Sequence, residues 1–242
     1  MKSRLYKLIF LFSFMAPILA QAVQVTEISP GDSQVCRLDS TGVVKCWGSN
    51  NYNDGSILPP ADLGPALSVQ SGKGFSCALT ANSNVRCWGS NRNGQLNIPS
   101  QLGPVAQIAV ATSHVCALQK SGEMICWGGT NDVGQLNVPS NLGPIQSISA
   151  GWKTSCAISK DGFATCWGKH QAPQNLGKVK KIITSAEKFL CTILEDGAGK
   201  CFGNVSIPKD LGPVKDVSAS SSYICAITST NLTKCWGAIV VP

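Results

Sequence analysis

Short apolar runs bounded by polar and turn residues recur along most of this 242-residue chain. One unit reads "GPVAQIAV", then "HVCALQ", then "EMICWG", followed by a polar stretch, "GQLNVP". Apolar residues run unbroken through "VCAL" and "MICW", as in short strands with both faces covered. Gly, Asn, Ser and Pro clusters bound each run, and no long segment carries a helical period. The pattern predicts many short antiparallel strands.

The cysteines give the pattern its register. They form six pairs, Cys36 and Cys46, Cys77 and Cys87, Cys116 and Cys126, Cys156 and Cys166, Cys191 and Cys201, and Cys225 and Cys235, each ten apart. Successive first cysteines lie 41, 39, 40, 35 and 34 residues apart, a period typical of solenoids, arrays and propellers. The repeats run approximately 23–62, 63–102, 103–142, 143–176, 177–211 and 212–242. Six positions after each first cysteine stand Gly42, Ser83, Gly122, Gly162, Gly197 and Asn231. Gly and Asn tolerate the positive φ of a tight hairpin. At the exception, Ser83, the flanking Asn82 and Asn84 are candidates for that role.

A hairpin turning there sets its two cysteines opposite each other, within disulfide reach. One cross-strand disulfide per repeat is the expectation. Links between neighbouring repeats and zinc ligation are the competing readings, although zinc usually takes closer pairs such as C-x₂-C. Trp47, Trp88, Trp127, Trp167 and Trp236 follow the second cysteines, and Phe202 stands in once. Neighbours on a strand point to opposite faces, so these aromatics lie opposite the cystines and read as core. The residue after the first cysteine is small (Ala78, Ala117, Ala157, Thr192, Ala226), except Arg37. Strands apolar on both faces need cover on both, which radial packing supplies. The expected fold is an all-β propeller of about six blades, or seven, each of three to four strands. How such a ring closes is left open.

The N-terminus changes the picture. Residues 1–22 combine Lys2, Arg4 and Lys7, an apolar run and "AQA", the pattern of a cleaved secretory signal. A single domain then spans 23–242, extracytoplasmic (secreted or periplasmic), without a membrane span after cleavage and expected to be a monomer. The formal net charge is +7, and the signal carries three of those charges. That mild balance does not argue for nucleic acid. Lys178, Lys180 and Lys181 read as a solvated strand edge.

The units "SHVCALQKSGEMICWGGTNDVGQLNVP" and "GFSCALTANSNVRCWGSNRNGQLNIP" resemble the regulator-of-chromosome-condensation repeat. The resemblance covers nearly all of 23–242 and is weakest in the fifth repeat. It implies a β-propeller with one repeat's length of chain per blade. The repeats here are shorter than the family's eukaryotic units, carry added cysteines, and number six where seven is common. The compact style is similar to secreted bacterial propellers, including β-lactamase inhibitory proteins.

Catalytic patterns are absent from the sequence. After the signal only His114 and His170 occur, in different repeats, with four glutamates (Glu27, Glu123, Glu187, Glu195). No nucleophile elbow, metal-ligand pair or phosphate loop is visible, and "GAGK" lacks a phosphate loop's other residues. The expectation is a non-enzyme with no cofactor or metal. Sequons stand at Asn204 and Asn231.

The residues that escape the repeat's rules precede each first cysteine. Gln34, Phe75, His114, Thr154, Phe189 and Tyr223 lie two before it, and Trp152 is the one tryptophan outside the Trp-Gly series. Lys73, Phe75, His114, Trp152, Lys153, Lys188, Phe189 and Tyr223 are read as an aromatic and basic rim for a protein or cell-surface partner; packing along the central channel is the competing reading. The expected function is a secreted, non-catalytic binding propeller. The alternatives are an inhibitor of an extracytoplasmic hydrolase, a carbohydrate binder and, remotely, a guanine-nucleotide exchange regulator.

Overall fold

The structure is a computed structural model that describes residues 23–49, 55–173, 175–184, 189–203, 205, 207–208, 210–219 and 223–237. The signal region, Lys188, Asn204 and the loop 50–54 lie outside the described residues. Eighteen strands form six three-stranded antiparallel sheets, one per repeat. Blade 1 holds β1 (Val25–Pro30), β2 (Gln34–Asp39) and β3 (Val44–Gly48). Blade 2 holds β4 (Ala66–Ser71), β5 (Phe75–Thr80) and β6 (Val85–Gly89). Blade 3 holds β7 (Val105–Val110), β8 (His114–Gln119) and β9 (Met124–Gly128). Blade 4 holds β10 (Ile145–Ala150), β11 (Thr154–Ser159) and β12 (Ala164–Gly168). Blade 5 holds β13 (Val179–Thr184), β14 (Phe189–Leu194) and β15 (Gly199–Gly203). Blade 6 holds β16 (Val214–Ala219), β17 (Tyr223–Thr228) and β18 (Thr233–Gly237).

Each first cysteine is the register partner of the second in its own blade. All six pairs are bonded, with Cα separations of 4.0 to 4.1 Å. That excludes bridges between repeats and zinc. In the turns, Ser83 itself takes positive φ, at 64°, rather than Asn82 or Asn84. The next blade holds it there, because the Ser83 carbonyl accepts the Val105 N–H at 2.8 Å. Gly42, Gly162 and Gly197 accept from Ala66, Val179 and Val214 in the same way. The hairpin turn is therefore also a joint between blades.

Alternation gives each blade a cystine face and a tryptophan face, and the cystine face packs on the tryptophan face of the next blade. Cys36 and Leu38 of blade 1 meet Val69, Ala78 and Trp88 of blade 2. Cys116 and Leu118 of blade 3 meet Ile148, Ala157 and Trp167 of blade 4. The small residue beside the first cysteine leaves room for the neighbour's cystine. Burying each Val, Leu or Ile in these seams contributes roughly 1.5–3 kcal/mol.

The first strands lie side by side without a ladder, and side chains bridge them. The Gln70 amide donates to the Ile108 carbonyl at 3.1 Å, and its oxygen accepts the Val110 N–H at 2.9 Å. Gln107 does both to Ile148. Glu27 accepts from the Val69 N–H and the Ser68 hydroxyl. Burial pushes the Glu27 carboxyl up, against those two hydrogen bonds. Lys181 is not a solvated edge residue alone, for it ion-pairs with Asp216 of the next blade.

The "GQL" segment explains the indoles. Trp127 donates its Nε1–H to the Gln95 carbonyl at 3.0 Å, and Trp167 to the Gln135 carbonyl at 3.0 Å. Trp88 uses Ser56 at 3.2 Å. Each acceptor belongs to the preceding repeat. The fourth repeat lacks "GQL", and the aromatic that follows is Phe202, which has no N–H to satisfy. The fifth lacks it too, and the Trp236 Nε1 is buried without a partner.

One expectation needs correction: Trp47, read as core, is 47% exposed. Consecutive blades pack on each other, and among the described residues no comparable packing joins blade 6 to blade 1.

Candidate functional site

The loops that lead into each second strand gather at one rim of the array. Asp32 N–H donates to the Gly72 carbonyl at 3.3 Å, and Lys73 N–H to the Thr112 carbonyl at 3.1 Å. Each loop thus leans on the equivalent loop of the next blade. Gly72 permits this approach, since a Cβ there would stand 2.4 Å from the Ala111 carbonyl oxygen.

The residues two before the first cysteine do not reach this rim. On blades 1 to 5, Gln34, Phe75, His114, Thr154 and Phe189 share the cystine face and are buried toward the seam with the next blade. Phe75 and His114 are 0% exposed and Phe189 is buried as well, so none of the three offers itself to a partner. Gln34 shows the role of the column: its amide donates to the Gly72 and Phe75 carbonyls at 3.0 and 2.9 Å. His114 Nε2 lies 3.0 Å from the Ser155 hydroxyl of blade 4. The Ser155 hydroxyl donates to the Gln135 carbonyl at 2.8 Å. The imidazole therefore carries its proton on Nε2 and donates to Ser155, leaving Nδ1 buried without a partner. Burial pushes this imidazole down from 6.5 to about 4. Tyr223 opens β17, and Lys188 falls outside the described residues.

Lys73, Trp152 and Lys153 remain at the rim. Lys73 is exposed and Trp152 half-buried. The Lys169 ammonium sits 3.9 Å from the centroid of the Trp152 ring, and that of Lys153 5.3 Å. Both distances suit cation–π attraction. Lys153 also ion-pairs with Asp132, holding that carboxyl below the usual carboxylate range. Lys169 has no carboxylate partner among the described residues. The sequence reading missed Lys169. Its signal was available, because it directly follows the fourth Trp-Gly, whose glycine has φ 92°. A Cβ on Gly168 would stand 2.3 Å from the Lys153 carbonyl oxygen. That contact brings the strand exit against the Trp152 loop, where Lys169 N–H donates to the same carbonyl at 2.7 Å.

Among the described residues no group of three or more His, Cys, Asp or Glu is placed to hold a metal ion. Nor is any helix long and apolar enough to cross a membrane.

Six such blades, joined face to face, define a β-propeller. Residues 67–95 match the model of the regulator of chromosome condensation (RCC1) repeat, and the other five units share that unit's strand register and cystine. No curated protein sequence matches the chain. Among solved structures it is similar to the ectodomain of the Physcomitrella patens receptor kinase CR4 (TM-score 0.75, 23% identity, 90% of this chain). The chain spans 62% of that ectodomain's length. It is also similar to the CRINKLY ectodomain of the Arabidopsis thaliana receptor kinase ACR4 (TM-score 0.73, 24% identity, 91% of this chain and 84% of that one). Prp20p of Saccharomyces cerevisiae, described with its binding properties to Gsp1p and histones, follows at TM-score 0.72 and 17% identity over 88% of this chain and 72% of its own.

Proposed function

We propose that this chain is an extracytoplasmic, non-catalytic propeller that binds a protein partner through the rim centred on Trp152. The observation that carries this reading is the Trp152 ring with the Lys169 ammonium 3.9 Å from its centroid. A half-exposed indole beside an unpaired cation offers apolar area and a charge in one place, the combination that anchors interfaces. Lys73 extends the positive character along the same row of loops. A partner presenting a carboxylate next to an apolar or aromatic side chain fits this surface. The leader pattern read in residues 1–22 and the cystines that an oxidising compartment maintains support an encounter outside the cytosol. Propeller ectodomains of receptor kinases and a protein-binding RCC1-type propeller share the fold, and they support a recognition role by analogy.

The test is capture from the extracytoplasmic fraction of the producing cell and its surroundings, comparing wild type with Trp152→Ala and Lys169→Glu. Both substitutions should remove the same captured protein, and raising salt should weaken wild-type capture. Capture unchanged by either substitution would move the site away from this rim.

A further inference from the structure

The two ends of the array expose what every internal seam covers. Two residues after the first cysteine, Leu38, Leu79, Leu118, Ile158 and Ile193 are 1% to 6% exposed, whereas Ile227 on blade 6 is 39% exposed. At the fourth position of the first strand, Val69, Ile108, Ile148, Ile182 and Val217 are 0% to 7% exposed, but Ile28 on blade 1 is 64% exposed. Trp47 differs from Trp88, Trp127 and Trp167 in the same sense. Among the described residues blade 1 thus has a bare tryptophan face and blade 6 a bare cystine face, the two halves of a seam that these residues do not make.

Arg37 indicates what belongs on blade 1. Its position is Ala or Thr on the other five blades, all buried. Lys45 stands opposite it in register. Asp39, two residues along the same face, attracts Arg37, but its carboxylate already accepts from Thr41 and Val43. A sheet covering this face must therefore give the guanidinium a further carboxylate or carbonyls, because a buried charge without hydrogen-bond partners is costly. The cystine face of blade 6 offers Cys225, Ile227, Thr233 and Cys235, and its carboxylate, Asp216, is engaged by Lys181. Closure of the chain on itself and head-to-tail pairing of two copies both set that face on Arg37, and among the described residues neither supplies a free anion. β1 is adapted as well. Pro30 removes the donor that Ser71 and Val110 use toward their preceding blades, leaving Ile28 N–H where Val69 and Ile148 donate.

We propose that the gap between blades 6 and 1 takes a blade from another polypeptide. The incoming unit is a short antiparallel sheet. It turns an apolar face bearing a carboxylate toward Ile28, Arg37 and Trp47, and an aromatic beside small residues toward Ile227.

The probe is a cystine-closed peptide of residues 103–129 of this chain, as itself and with Leu118→Glu, titrated into the full protein. Leu118 occupies the position that meets the neighbour's tryptophan face. The Glu peptide should bind one to one, at least about tenfold more tightly than the unchanged peptide, with a blue shift of Trp47 fluorescence. Arg37→Ala should erase that preference, Trp47→Lys should abolish binding of both, and Trp152→Ala should change neither, which separates this slot from the rim. A fusion carrying the Glu version behind Pro242 on a flexible linker guards against a peptide that does not fold alone. Its Ile28 and Ile227 amides should become protected from hydrogen exchange. No binding at about 100 μM together with no protection in the fusion overturns the proposal. So does protection of Ile28 and Ile227 in the free monomer, which means self-closure. A concentration-dependent dimer lost on Trp47→Lys also overturns it, in favour of a second copy.

Discussion

Lowering the pH from about 7.5 to about 4.5 should destabilise this protein by about 2.5 kcal/mol through one imidazole. His114 is wholly buried, donates from Nε2 to Ser155, and has no partner on Nδ1. A proton on Nδ1 would place an uncompensated charge in the seam between blades 3 and 4, which is why burial holds the group near 4. In the unfolded chain the same imidazole titrates near 6.5. Between those values the unfolded state binds the proton and the folded state does not, so stability falls as the pH falls. Two pH units below 6.5, at about 1.4 kcal/mol per unit and slightly offset by protonation of the folded form, give the stated figure. The assay is urea unfolding of wild type and His114→Gln across this range. Glutamine is the chosen replacement because Gln34 fills the same position on blade 1 and donates to the neighbouring backbone. Glu27, whose carboxyl is pushed up, works in the opposite direction but is common to both proteins and cancels. The stability of wild type relative to the variant should drop by about 2.5 kcal/mol from the higher pH to the lower. A difference that does not vary with pH, or an NMR titration of His114 near 6.5, would refute the reasoning.

The indoles give a paired test by denaturant unfolding. Trp127→Phe leaves the Gln95 carbonyl without its donor and should cost about 1–2 kcal/mol, whereas Trp236→Phe, which deletes an N–H that has no partner, should cost less or stabilise. Ser83→Gly relieves a serine held at positive φ and should raise stability by up to about 1 kcal/mol, with an upward shift of Tm; a loss would mean that the Ser83 side chain supports the turn. Removing one staple by Cys116→Ala with Cys126→Ala should cost about 3 kcal/mol on the loop-entropy account, and an unchanged denaturation midpoint would contradict it.

Period-two alternation and cysteine spacing carried most of the fold. They place the eighteen strands, the opposed cystines and the two faces of each blade, because those follow from local register. Applied to Gln34, Phe75 and His114, the same alternation places them in the seam, although Phe75 and His114 are read from the sequence as rim residues. Residues two apart share a face, so a residue two before a buried cystine faces the seam rather than the rim. The pairing of "GQL" with a following Trp holds only for Trp127 and Trp167, since the first repeat has "GSIL" and is still followed by Trp88. Trp47 was not legible in this way. Its dipeptide matches the internal ones, and only its place at the end of the array leaves it uncovered. Lys169 escaped because cation–π geometry joins a loop to a strand end seventeen residues away, a distance that repeat alignment does not register.

Every cysteine finds its partner ten residues further along the same hairpin. Oxidation can therefore keep pace with synthesis: each staple closes when its own turn has formed, and no thiol waits for a mate from a distant repeat. A chain with twelve thiols ordinarily risks scrambled bridges and depends on reshuffling. Here the nearest competitor lies at least twenty-four residues away, so the order of emergence itself selects the native set.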